Sequence, residues 1–131
     1  MTAKDVWEVG SGWPGLETNI PLMLDQVHKG KLTLSQLVFW YGEKPARMWN
    51  IYPKKGSLAV GSDADFVLIE MNKEKVIDVK KLYTKGKFSP FDGWKTKGSL
   101  EKVYLRGRLI AEDGRVVGEP RGQMLRPNNR K

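Results

Sequence analysis

No cysteine occurs among the 131 residues. Its absence removes disulfide staples, thiolate nucleophiles, zinc fingers and iron–sulfur ligation, and it fits a reducing cytoplasm. Long apolar runs are also missing, and nothing approaches the roughly 20 residues that a helix needs to cross a bilayer. The opening Met1-Thr2-Ala3-Lys4-Asp5 has no apolar stretch after its lysine, so neither a signal nor a transit peptide is visible. These absences predict a soluble, cytoplasmic protein without a membrane partner. The length suits one domain or one piece of a larger one.

What is present in excess is positive charge, a formal +8. Clustered Lys and Arg would bind nucleic acid through counterion release. Here Lys54-Lys55, Lys73-Glu74-Lys75, Lys80-Lys81 and Lys85-Gly86-Lys87 fall in short polar connectors, which solvated loops explain, so no nucleic-acid partner is expected. The basic tail from Arg121 to Lys131 reads as a mobile terminus.

Residues Met1 to Pro14 lack periodicity and read as a loop. From Leu16, the apolar Ile20, Met23, Leu24 and Val27 recur at helical spacing, which predicts a helix over Thr18–Lys29 with Pro21 in its first turn and Gly30 as its stop. Thr33-Leu34-Ser35-Gln36 has the form of a capping box opening a second helix to about Tyr41. Past Gly42, Pro45 at a first turn suits a third short helix through Trp49. The pattern then changes to strands. Phe66-Val67-Leu68-Ile69 is the clearest; Val76-Ile77 forms another; Val103 and Leu105 alternate with polar neighbours. Leu109-Ile110 and Val116-Val117 flank an Asp113-Gly114 turn, a hairpin signal. Ser89-Pro90-Phe91-Asp92-Gly93-Trp94 reads as an ordered loop over an apolar surface. Trp7, Trp13, Phe88, Phe91 and Trp94 all sit in predicted loops and need cover, from protein outside this sequence or from a homo-oligomer.

Several of these segments together resemble a known family. Pro14-Gly15-Leu16-Glu17-Thr18, an apolar helix, Lys31-Leu32-Thr33-Leu34, then Lys44-Pro45-Ala46-Arg47, Lys55-Gly56-Ser57-Leu58-Ala59-Val60-Gly61-Ser62-Asp63-Ala64-Asp65, Ser89-Pro90-Phe91-Asp92-Gly93-Trp94, Lys97-Gly98 and Val103-Tyr104-Leu105-Arg106-Gly107 follow the order found in cyclic amidohydrolases of the dihydroorotase, allantoinase and dihydropyrimidinase group. The first of them looks most like dihydroorotase. The resemblance implies an α+β fragment: the last helices of a (β/α)8 barrel over residues 1–52, short strands of a C-terminal β-sandwich over 53–120, and the basic tail over 121–131.

The resemblance implies hydrolysis of a cyclic amide C–N bond by metal-activated water, with a His-x-His pair, a metal-bridging lysine and two further histidines in the metal set and an aspartate in an Asp-His-Ala-Pro stretch as general base. This sequence has His28 alone and no such stretch. Three or four ligands are needed for zinc, so the resemblance implies that this chain by itself has no metal ligands, no catalytic residues and no activity. Zinc and the missing N-terminal barrel portion would belong to the complete enzyme. His28, near a predicted helix end, is placed to interact with the helix dipole. What remains for a small cyclic amide substrate is the backbone at Gly12, Trp13, Pro14 and Gly15, which in the group approaches the ring; glycine and proline there also shape the entry into the helix. Asp63 and Asp65 are expected to serve turn geometry rather than bind a cation. The alternative to an enzyme segment is a non-catalytic assembly module derived from a dihydropyrimidinase-like protein.

Overall fold

The computed structural model describes Asp5 and residues 12–127. Most of the expected N-terminal loop, with Trp7, and the last residues of the basic tail lie outside them. The first helix, α1, spans Leu16–His28, two residues ahead of the predicted start. Gly15 opens it without a side-chain cap: its carbonyl accepts from the Thr18 and Asn19 amides at 3.2 and 2.9 Å and from the Thr18 hydroxyl at 3.2 Å. Pro21 therefore lies beyond the first turn, where its missing N–H forgoes the bond to the Glu17 carbonyl. The helix stops as expected, with Gly30 at φ 69° and its amide on the Val27 carbonyl at 3.0 Å.

The second and third predicted helices join. α2 (Leu34–Val38) runs into a π-helical turn (Phe39–Glu43) and on into α3 (Lys44–Met48) without a break. The Thr33 capping box forms as predicted, the Gln36 amide bonding the Thr33 hydroxyl at 3.1 Å and the Thr33 amide bonding the Gln36 side chain at 2.8 Å. Gly42 does not end the helix, because the wider turn accommodates the Pro45 ring, which in uninterrupted α-helix would meet the Tyr41 carbonyl. In the connector that follows, Gly56 (φ 76°) leaves so little room that an added Cβ would stand 2.6 Å from the Ala46 methyl.

Strands β1 (Phe66–Val76), β2 (Lys95–Leu105), β3 (Arg108–Glu112) and β4 (Arg115–Val116) form one antiparallel sheet in chain order. Val76 belongs to β1 rather than to a separate strand; the pairing shifts register between Glu70, opposite Ser99, and Glu74, opposite Lys97, and resumes from there to Val76. Phe66 and Tyr104 stack across β1 and β2 with centroids 4.5 Å apart. Two tight turns finish the meander, Arg106-Gly107 (φ 48° and 73°) and the predicted Asp113-Gly114 (φ 48° and 77°), both with the paired positive φ that matches strand twist.

The core is the seam where α1 lies on β2. Leu24 is completely buried there, with Thr18, Asp25, Thr96 and Ser99 also buried around it. Gly98 (φ 102°) permits the contact: an added Cβ would stand 2.7 Å from Leu24 Cβ. Polar atoms at this seam are matched. The Asp25 carboxylate accepts from the Lys29 ammonium at 2.5 Å and from the Lys97 amide of β2 at 3.3 Å.

Candidate functional site: the loop before the first helix

Gly12, Trp13, Pro14 and Gly15 come together as the turn that delivers the chain to α1. Gly12 takes φ 75°, a conformation that favours glycine. Trp13 leaves half its surface exposed, and its ring meets Phe91 edge-on at 6.2 Å; Phe91 in turn meets Trp94 edge-on at 5.1 Å. The segment 89–94 thus orders as expected, under the loop. Its own turn is closed by the Ser89 hydroxyl accepting from the Phe91 amide at 3.2 Å.

A residue that the sequence offers only as part of the motif at residues 14–18, ahead of the predicted helix, does more. Glu17, in the first turn of α1, accepts from the Tyr83 and Thr84 amides, one on each carboxylate oxygen, both at 2.8 Å. The same stretch brings Gly86 against Pro14, whose Cγ would be 3.4 Å from an added Cβ. An acid in a first turn signals only a favourable dipole; no spacing in the sequence links position 17 to position 83.

The other charged groups serve the fold. Asp63 and Asp65 both bind Lys55, the former at 2.8 Å, and Asp65 uses its second oxygen to accept from the Arg106 amide at 2.8 Å. The carboxylates thus bond Lys55 and, for Asp65, an amide 41 residues away, in place of the expected local turn backbone. Hydrogen bonding from Lys55 holds Asp63 below its ordinary range. Burial pulls Lys55 down, but the two carboxylates outweigh it and hold the ammonium above its ordinary value. Lys73 binds Glu101 and Asp113 at 2.8 and 2.9 Å, and Lys102 binds Glu112 at 3.1 Å. Several lysines that read as solvated therefore have acidic partners, which breaks up the positive patch that polyphosphate binding would need. Beside the end of β1, Asp78 and Asp92 line a surface groove, but their oxygens accept the Lys80 and Val79 amides.

Among the described residues, no three His, Cys, Asp or Glu side chains converge as metal ligands. His28 ends α1. The donor set does not fit a zinc centre. No helix among the described residues is long and apolar enough to cross a membrane.

A glycine-proline loop over an aromatic bed, a helix seated on an antiparallel meander, and the ordered motifs from Pro14 onward agree with the sequence pattern of the amidohydrolase family, which matches residues 14–110; the chain belongs to that family. It is 44% identical over 117 residues to an L-hydantoinase of Paenarthrobacter aurescens, covering 88% of this chain and 26% of that protein. It is 38% identical over 124 residues to a dihydroorotase of Pyrococcus horikoshii, covering 95% of this chain and 29% of that one. The solved L-hydantoinase (dihydropyrimidinase) from Arthrobacter aurescens superposes with a TM-score of 0.83 at 44% identity, over 88% of this chain and 26% of the other. The chain spans less than a third of the length of the relatives it matches.

Proposed function

We propose that these residues form the C-terminal segment of a cyclic amidohydrolase: α1 to α3, within residues 1–52, close the barrel; the meander, within 53–120, contributes to the β-sandwich; residues 121–131 are a basic tail. The observation that carries this reading is the match over residues 14–110, shared by relatives named for hydantoin and for dihydroorotate. A cyclic amide is the chemistry common to those names. Gly12, Trp13, Pro14 and Gly15 would border the ring, the backbone N–H groups of Gly12, Trp13 and Gly15 donating to its carbonyls without bringing a charge into the site, while Pro14, which has no N–H, shapes the turn. The turn is suited to that task because Phe91 and Gly86 back it from the protein side.

The described residues do not build a metal centre. Activating water, and holding the zinc expected of such an enzyme, would fall to the rest of the barrel, which would be this segment's principal partner. In cytoplasm-like buffer, the longest reading frame containing these residues should hydrolyse hydantoin, dihydropyrimidine or dihydroorotate, and the 131-residue chain should hydrolyse none of them. Metal-replete protein inert toward all three would overturn the proposal. The relative kcat/KM values would select the substrate within the class.

A further inference from the structure

Three separate contacts join residues 13–17, the end of the loop and the first turn of α1, to the segment Leu82–Trp94, about 66 to 78 positions away in the chain. Glu17 bonds the Tyr83 and Thr84 amides, Gly86 abuts Pro14, and Phe91 meets Trp13 edge-on. The aromatic contact and the close approach of Gly86 to Pro14 adapt readily to small shifts. Glu17 differs in kind, because a carboxylate that accepts one N–H on each oxygen fixes both distance and direction. Lys87 adds a bond from its ammonium to the Leu82 carbonyl, closing the segment on itself. Thr84 does the same from its hydroxyl, which accepts from the Gly86 amide at 3.4 Å.

We infer that Glu17 is a positioning residue for substrate binding: it pins Tyr83 and Thr84 to the first turn of α1 and so sets where Trp13, Pro14 and Gly15 present their backbone to the ring. This rests on the functional reading above. Glu17 touches no reacting atom. Its loss would leave chemistry intact and loosen the wall that receives the ring, so it should act on KM more than on kcat. Glutamine tests the bond without changing the shape, because it keeps one acceptor and turns an N–H donor toward the other backbone N–H.

The test compares wild type, Glu17→Gln, Glu17→Asp and, as a control for loss of an exposed carboxylate, Glu43→Gln, all in the complete protein carrying this segment. Hydrogen exchange at the Tyr83 and Thr84 amides should accelerate in Glu17→Gln and stay unchanged in Glu43→Gln. KM for the best cyclic amide should rise about tenfold in Glu17→Gln with kcat within about twofold, and Glu17→Asp, which keeps both acceptors, should recover part of the loss. Unchanged exchange at the two amides would overturn the pin. Faster exchange with unchanged KM, or kcat falling in parallel with the folded fraction, would overturn its role in binding. A wild-type protein that hydrolyses no cyclic amide would overturn the functional reading, while the exchange data would still report on the pin.

Discussion

Helix α1 and the helical run from Leu34 to Met48 are both rich in large apolar side chains, yet they end in opposite conditions. At the seam Leu24 has no exposed surface and its neighbours are small or hydrogen-bonded. Along the second run only Leu37 and Ala46 are buried; Phe39, Trp40, Tyr41 and Met48 keep 42, 46, 46 and 74% of their surface exposed, and Trp49 just beyond keeps 72%. Apolar content does not separate the two. Backbone approach does: Gly98 and Ser99 let a helix settle onto β2, whereas the large side chains from Phe39 to Trp49 are only partly covered among the described residues. A side chain is buried by what stands opposite it, and the proposed barrel would supply the rest of that cover for the second region.

The largest expected effect breaks the seam. Gly98→Ala combines a positive φ with a 2.7 Å clash against Leu24 and should cost about 3 kcal/mol or more, read as a fall in the urea midpoint. Asp25→Asn comes next, at about 1–3 kcal/mol, since it removes a charged acceptor from a buried position. The same carboxylate gives the seam a pH signature. Burial pushes Asp25 up, but the Lys29 ammonium and the Lys97 amide outweigh it and leave its pKa below the ordinary 3.8. A folded pKa lower than the unfolded one means that the stabilisation is full above about 3.8 and is lost as pH falls from there through the folded value. Acid titration of the urea midpoint should show a smaller loss in Asp25→Asn than in wild type, because carboxylates such as Asp63 keep their own acid dependence in both. In the second region, Thr33→Ala should cost about 1 kcal/mol through the lost cap. Trp49→Ser is the sharpest contrast: in the 131-residue chain it should change stability by less than about 0.5 kcal/mol. A loss as large as that of Asp25→Asn would show that the aromatic face is already covered, and the comparison would collapse.

Local signals were readable where a residue acts on its neighbours. The capping box at Thr33, the stop at Gly30 and the Asp113-Gly114 turn each depend on bonds spanning a few residues, and each appears where predicted. Boundaries moved where two local rules competed. Gly42 suggested an end and Pro45 a beginning, but a π-helical turn satisfies both within one continuous helix. The polar stretch between Phe66 and Val76 reads as a break, yet pairing with β2 resumes beyond it at Glu74. The candidate loop was legible from motif order, while its pin was not: Glu17 gains meaning only from amides at positions 83 and 84.

The long-range bonds at α1 also bear on how the chain acquires its structure. Glu17 to Tyr83 and Asp25 to the Lys97 amide join positions 66 and 72 residues apart. The β2–β3–β4 meander, in contrast, closes through two-residue turns. Closure entropy favours the short loops first, so the meander should form early and α1 should dock onto a β2 that already exists. Gly98 therefore lies at the last contact to be made, and substitutions there should mainly accelerate unfolding while leaving the folding rate nearly unchanged.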